Sequence, residues 1–353
     1  MLAAMTDTDN LNIPATVLVT GGSGFLGGHT VAHALGLGHT VRATVRNLDR
    51  ADAVRDLVRA AYVEPDDRLS FVEADLTTDD GWAAAVSGVD YVLHTASPFP
   101  ALPPEDEGEL IVPARDGTLR VLRAAREAGV KRVVVTSSFG AIGYGHPRSE
   151  HVYTESDWSN LDAGLAPYIK SKTVAERAAW DLVESGVGPQ LAVINPVGIF
   201  GPALGPELSS SLGLILALLS GAMQAGAPRL SFGVVDVRDV AELHLLAMTH
   251  PAAAGQRFIA SAGDAISLLE AAEILRGRLG ERAALVPTSE LDDEIVRAAA
   301  ESNPGLRSEI PELGNRRHLD SGKARRLLGW QPRSTEDALT ASAESLIVLG
   351  LVS

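Results

Sequence analysis

Cysteine is absent from all 353 residues. Disulfides, thiolate metal sites and cysteine nucleophiles are thereby excluded, and the absence fits a reducing compartment such as the cytoplasm. Positive charge is scarce: 30 Lys and Arg stand against 45 Asp and Glu, a net charge of −15. Such a chain offers no broad basic patch, so no nucleic-acid partner is expected. Long apolar runs are missing too. The most apolar stretch, Leu212 to Met223, is too short to span a bilayer, and no membrane partner is expected. Met1 to Pro14 is polar and acidic, with no apolar segment behind basic residues. It reads as a flexible N-terminus (1–14) rather than a targeting peptide. Repeats and low-complexity segments are also lacking.

What is present is ordinary globular composition, 46% hydrophobic and 21% charged. The length suits one large α/β domain with a smaller lobe. Apolar, β-branched runs at Thr16–Thr20, Thr40–Val45, Leu69–Glu73, Tyr91–His94, Arg132–Thr136 and Leu191–Asn195 read as strands. Helical patterns at Phe25–Leu35, Ala51–Ala60, Gly81–Val86, Leu110–Ala128 and Pro167–Ser185 fall between them. Six strands in this alternation predict a doubly wound parallel sheet of the Rossmann type over residues 15–200. From Gly198 the pattern loosens into Gly-Pro turns and helical stretches near Ser209–Ala225, Val237–Thr249, Ser267–Leu279 and Thr335–Leu349. These predict a substrate lobe over 201–353, with segments crossing back to the sheet domain.

The first strand runs into Gly21-Gly22-Ser23-Gly24-Phe25-Leu26-Gly27-Gly28 and then a helix. Strand, glycine-rich turn and helix form the setting in which backbone approaches a pyrophosphate at a helix N-terminus. Two registers fit, Gly22/Gly24/Gly27 and Gly21/Gly24/Gly27. The second strand selects the cofactor. An acidic residue at its end would hold a ribose 2′-hydroxyl, but here the end position is Arg46, with Arg50 behind. A guanidinium fork matches a 2′-phosphate, so the expected cofactor is NADP(H). Arg42 shares the face of Arg46 but lies too far from the sheet mouth. Asp75, past the third strand, can accept from an adenine amino group or cap the next helix. Thr95-Ala96-Ser97 after the fourth strand are small enough for close cofactor approach, and His94 reads as a packed strand histidine.

Tyr168 and Lys172 are four residues apart on a predicted helix, in the only Tyr-x-x-x-Lys of a chain with 5 Tyr and 4 Lys. That spacing puts phenol and ammonium on one helix face. The ammonium is expected to lower the phenol pKa toward working pH and make it a proton donor to a carbonyl oxygen. The fifth strand ends Thr136-Ser137-Ser138-Phe139, where a hydroxyl can hold that oxygen. Spacing does not choose between the two serines. Pro196, Val197 and Ile199 lie in a turn-rich loop expected beside the nicotinamide. Phe99, Phe139, Trp158, Leu204 and Phe232 are expected at the substrate pocket, with the Leu212–Met223 run as an apolar wall.

As an ordered set these residues resemble the extended short-chain dehydrogenase/reductase family. The features are Thr20-Gly21-x-x-Gly24-x-x-Gly27, Asp75-Leu76, Thr136-Ser137-Ser138, Tyr168-x-x-x-Lys172, Asn195-Pro196, Val235-Asp236-Val237-Arg238-Asp239-Val240-Ala241 and Leu327-Leu328-Gly329-Trp330-Gln331-Pro332. Val41-Arg42-Ala43-Thr44-Val45-Arg46 and Thr95-Ala96-Ser97-Pro98-Phe99 are similar to the branch holding dihydroflavonol 4-reductase, cinnamoyl-CoA reductase and microbial aldehyde/ketone reductases. The resemblance implies Ser138 as the catalytic serine beside Tyr168 and Lys172. Lys172 then also binds the nicotinamide ribose, and Leu76 and Thr136 join the cofactor contacts. It implies an NADPH-dependent carbonyl reductase needing no metal.

Two departures bear on substrate. The branch's cinnamoyl-CoA reductases carry Asn-Trp-Tyr-Cys-Tyr at the catalytic tyrosine, where this chain has Ala163-Gly164-Leu165-Ala166-Pro167-Tyr168. Plant dihydroflavonol reductases have an Asn where Gly143 stands. A hydrophobic or aryl aldehyde or ketone is the expected substrate. A nucleotide-sugar epimerase or dehydratase is the alternative, yet Arg229 is the only basic residue between Gly198 and Val237 to meet a diphosphate. A hydroxysteroid dehydrogenase is a further alternative on the same fold. A non-enzymatic cofactor sensor has no use for the Ser/Tyr/Lys set. The helix at Pro167–Ser185 is expected to expose Glu176, Arg177 and Glu184, and the one at Leu110–Ala128 is arginine-rich. So much charge on the faces that pair in family dimers favours a monomer.

Overall fold

Burial alternates along the strands with period two, and this sets the layers. Val17 and Val19 face one side of the sheet while Leu18 faces the other, all without solvent exposure. The computed structural model describes residues 13–98, 104, 106–186 and 188–352. Residues 1–12 of the expected flexible N-terminus lie outside them.

Seven strands form one parallel sheet: β1 (Thr16–Thr20), β2 (Thr40–Val45), β3 (Leu69–Glu73), β4 (Tyr91–His94), β5 (Arg132–Thr136), β6 (Gln190–Pro196) and β7 (Gln256–Ala260). Their spatial order is β7-β6-β5-β4-β1-β2-β3. The chain builds outward from β1 through β2 to β3, then crosses to β4 on the other side. The crevice at the carboxyl ends of β1 and β4 is thus the topological switch point where such sheets bind ligands. Helices α1 (Phe25–Gly36), α2 (Ala51–Ala60), α3 (Trp82–Val86), α4 (Gly108–Glu127) and α5 (Pro167–Glu184) follow successive strands. α1 and α2 cover one face of the sheet; α3, α4 and α5 cover the other.

The doubly wound fold is the one expected, with a seventh strand beyond the six. β7 lacks the apolar signature of the other strands because its sequence opens Gln256-Arg257, two polar residues in a segment of five. Its Phe258, Ile259 and Ala260 are fully buried. β7 and helix α7 (Val237–Thr249) bring the chain back to the sheet after residue 200. Asp236 caps α7 by accepting from Arg238 N at 2.9 Å, and Trp330, fully buried, donates to Asp239 O at 2.9 Å. The two late motifs therefore clamp one another.

Three later helices, α6 (Ser210–Leu219), α8 (Leu268–Leu279) and the C-terminal Thr335–Val348, enclose a second core around Phe200, Ile215, Leu275 and Leu339. α6 stops well short of the expected Ala225, since Gly221 takes a left-handed φ of 83° just beyond it. No helix among the described residues is long and apolar enough to cross a membrane.

Candidate functional site

The glycine turn is built for close approach. Gly21 has φ of 69° and donates its N–H to Thr44 Oγ1 at 3.1 Å. A Cβ on Gly27 would sit 2.0 Å from Gly21 O, so no larger residue fits there. Gly24 is the N-cap of α1 and no side chain caps the helix. The first-turn N–H groups, those of Phe25 and Leu26 among them, therefore have no capping side chain. A pyrophosphate can take that place. The chain fits a dinucleotide on this count.

At the outer end of the crevice, Arg46 is exposed at the tip of β2. It helps hold the Asp75 carboxyl below its ordinary range, after the larger effect of hydrogen bonds from the Thr77 hydroxyl and N–H. Those bonds, at 2.6 and 2.7 Å, close a turn, so Asp75 does not cap a helix; α3 begins later, behind Gly81. Arg50 is engaged by Glu207 of the lobe, at 2.8 and 2.7 Å to its two carboxylate oxygens. Arg42 is spent on carbonyls at the end of α3, those of Ala84, Ala85 and Ser87. Leu76 packs on α4, where a Cβ on Gly117 would come within 2.7 Å of it.

In the middle, Thr95 Oγ1 donates to Thr20 O at 2.6 Å and Ala96 N to Thr20 Oγ1 at 3.1 Å. These bonds tie the end of β4 to β1 and set Ala96 against Gly21. His94 is buried, hydrogen-bonded to Thr20 Oγ1 at 2.8 Å, and burial pushes its pKa down to about 3. It is a packed, neutral histidine. A small cavity next to it is lined by His94, Ser97, Thr136, Ser137, Lys172 and Glu176, among others.

The inner end gathers the candidate catalytic residues. Ser138 follows β5, accepts from Gly140 N at 2.9 Å and is hydrogen-bonded to the Tyr168 phenol. Lys172 is 7% exposed; its Nζ donates to Thr136 O at 3.4 Å and lies 5.9 Å from the Tyr168 ring centroid. Burial lowers its pKa to about 8, while the Glu176 carboxylate works the other way. The Tyr168 phenol is raised, not lowered as expected: desolvation outweighs the hydrogen bond from Ser138. The ammonium stands over the Tyr168 ring. The arrangement can present one protonated phenol and one hydroxyl to a single carbonyl oxygen.

Of the three charged residues expected on the exposed face of α5, Arg177 and Glu184 are exposed and Glu176 is not. It is 1% exposed and accepts four hydrogen bonds: from Ser137 Oγ (2.5 Å), Asn195 Nδ2 (2.7 Å), Arg257 Nε (2.6 Å) and Trp180 Nε1 (3.3 Å). The signal was present. Tyr168, Lys172 and Glu176 repeat every four residues, so a buried face that takes the first two takes the third. This bond also separates the two serines, because Ser137 is committed to Glu176 and Ser138 is the one at the phenol. Asn195 Nδ2 donates to Ser138 O as well, at 3.1 Å.

On the substrate side the outcome is mixed. Phe139, 6% exposed, sits in a core cluster with Ile142, Tyr153 and Ile259, and Trp158 lies flat under the Arg257 guanidinium at 3.8 Å. Phe139 is thus packed in the core, while Trp158 remains half-buried. The Phe139 ring also fills the space beside Gly143, where a Cβ would meet it at 2.6 Å. α6 buries Leu212, Ile215, Leu218 and Leu219 in the lobe core, so only its remaining residues can form a wall. Ile199, Leu204 and Phe232 are half-buried, as are Val197 and Ser97; Pro196 is buried. Phe99 lies outside the described residues.

Comparison with known proteins shows the family and the fold. The model of the "NAD dependent epimerase/dehydratase family" matches residues 17–263. A cinnamoyl-CoA reductase of Medicago truncatula is 38% identical, covering 69% of this chain and 76% of its own length. Dihydroflavonol 4-reductase of Zea mays is 35% identical and covers 75% of each chain. Among solved structures, Gre2 of Candida albicans, in complex with NADPH, superposes with a TM-score of 0.78 at 26% identity, over 95% of this chain and 99% of that one. The chain belongs to the NAD dependent epimerase/dehydratase family, the extended branch of the short-chain dehydrogenases/reductases.

Proposed function

We propose that this chain is an NADPH-dependent oxidoreductase that reduces an apolar or aryl aldehyde or ketone to the alcohol, reversibly. The observation that carries the reading is the meeting of the Ser138 hydroxyl with the Tyr168 phenol, with Lys172 one helical turn on, at the switch point of the sheet. Ser138 orients the carbonyl oxygen and Tyr168 gives it a proton. A raised phenol pKa keeps Tyr168 protonated at neutral pH, which suits a donor. Lys172 supplies positive charge beneath the ring and ammonium protons toward the nicotinamide ribose. Dihydronicotinamide supplies the hydride when bound. The uncapped N-terminus of α1 holds the pyrophosphate, and Arg46 meets the 2′-phosphate.

Carbonyl reduction is favoured over nucleotide-sugar chemistry by one further observation. Arg229 is held by Asp293 through two bonds, 3.0 Å from Nε and 2.7 Å from Nη2. No other cation stands between Gly198 and Val237 to receive a diphosphate. The Gly143–Phe139 contact disfavours a polar grip on a phenolic ring, and the substrate is taken to be held by apolar contact. A panel of aryl ketones, aldehydes, 2-oxo esters and one UDP-sugar, followed by NADPH absorbance, tests this. Turnover of the carbonyl compounds is expected; turnover of the sugar nucleotide alone would overturn it.

A further inference from the structure

The buried carboxylate of Glu176 is more than a filled vacancy in the core. It joins three elements of the sheet domain and one side chain of the last strand: Ser137 at the tip of β5, Asn195 near the tip of β6, its own helix α5, and Arg257 on β7. Asn195 in turn holds the carbonyl of Ser138. The residue therefore fixes how far β5, with Ser138, stands from α5, with Tyr168. Arg257 is anchored independently, its Nη1 donating to Glu155 O and Asp157 O at 2.8 and 2.9 Å and its plane stacked on Trp158. So elaborate a fixture exceeds what helix docking needs, since apolar contacts already pack α5 on α4 and the sheet.

We propose that Glu176 is the positioning residue of the catalytic set, holding Ser138 in register with Tyr168 and keeping a negative charge one helical turn from Lys172. This rests on the assignment of Ser138, Tyr168 and Lys172 made above. The charged and titratable groups around the pair are few. Lys172 is faced by Tyr168 and Glu176 on α5 and by His94 from β4, which burial keeps neutral. Beyond Thr136, His244 of α7 is likewise held down, to about 4, and hydrogen-bonded to the Thr136 hydroxyl at 2.7 Å. Glu176 is faced by Arg257 from β7. Behind Arg257 stand Lys323, lowered by burial, and Glu155, raised by burial. Among the described residues Glu176 is the one carboxylate acting on Lys172, so its removal shifts that ammonium toward loss of its proton.

The test is Glu176→Gln, which keeps shape and one acceptor oxygen but removes the charge. Carbonyl reduction should lose at least about tenfold in kcat at pH 7, with KM for the carbonyl compound within about threefold. The alkaline limb of kcat should move down by about one pH unit, because Lys172 becomes neutral earlier. A merely structural residue would lower the melting temperature and leave that limb in place. If Arg257, left without its partner, prevents folding, the pair Glu176→Gln/Arg257→Gln is measured the same way. Unchanged kcat and an unmoved limb in either folded variant would sink the proposal; so would failure of both to fold, which assigns Glu176 to stability alone. Tyr168→Phe runs alongside. Full activity there would mean that the underlying assignment had failed, whereas an inactive Tyr168→Phe with an unaffected Glu176→Gln would mean that only the role of Glu176 had.

Discussion

At the inner end of the crevice a carboxylate 1% exposed takes four hydrogen bonds from four residues. At the outer end the Arg50 and Glu207 side chains meet while 42% and 68% exposed. A buried charge without partners is costly, so Glu176, Lys172 and Ser137 have one arrangement available. An exposed pair contributes about 0–1 kcal/mol and is screened by salt, so Arg50 can exchange one anion for another. On the proposed reading, geometry is thus fixed where a proton is passed over a short distance. It is left adaptable where an anionic group must enter and leave. Substitutions at the two ends should differ accordingly, in kcat at one and in cofactor affinity and choice at the other.

The largest effect is expected at Tyr168. Tyr168→Phe removes the donor and should lower kcat by about 10² or more, with NADPH affinity nearly unchanged. A loss seen mainly in affinity would erase the division between the two ends. The serines sharpen it further. Ser138→Ala should cost about 10² in kcat, because its hydroxyl is the one at the phenol. Ser137→Ala should cost only several-fold, since it removes one of the bonds to Glu176 and touches no reacting atom. Steady-state kinetics on both variants decides, and the reverse ranking would move the oxygen-holding role to Ser137.

The inner end was largely legible in the sequence because it is written in short-range spacing. Tyr168 and Lys172 announce themselves by one helical turn, and the glycines by their place between strand and helix. Glu176 runs against the rule that charge marks exposure, although its spacing from Lys172 puts it on the buried face. Its partners Asn195 and Arg257 come from strands far away in sequence, and no local pattern links them. The seventh strand is obscured for a related reason: Gln256-Arg257 leave it only three apolar residues, and Arg257 serves that same pair. Phe139 and Trp158 show a different limit. Aromatic residues near a sheet mouth serve core packing or stacking as readily as a pocket, and their direction is decided by tertiary contacts such as Tyr153 and Arg257.

Arg46 comes next in magnitude. Exposed at the tip of β2 and close enough to bear on Asp75, it is the guanidinium expected to meet the 2′-phosphate. One charge-assisted contact of roughly 1.5–3 kcal/mol corresponds to a preference for NADPH over NADH of about 10 to 100 in kcat/KM. Arg46→Ala should remove most of that ratio and spare the NADH reaction. Comparing the two cofactors at fixed carbonyl concentration tests it, and a wild type that uses both equally would contradict the assignment.

The smallest effect, and the sharpest on the adaptable end, belongs to Glu207. Its carboxylate now occupies the Arg50 fork that a 2′-phosphate could share. The loop carrying it is held independently, through His29 Nε2 donating to Pro202 O at 2.9 Å, so a substitution should leave the loop in place. Glu207→Gln frees Arg50 and takes one negative charge away from the phosphate. NADPH should then bind up to about fivefold tighter, the most that an exposed pair of at most ~1 kcal/mol can yield. The gain should shrink between low and physiological salt, as a screened interaction must. NADH, without the phosphate, should bind as before. Titration of both cofactors by quenching of tryptophan fluorescence, at two salt concentrations, separates the outcomes. An equal gain for NADH would mean that Glu207 restrains the lobe rather than competing for Arg50. No gain for either would mean that Arg46 alone serves the 2′-phosphate.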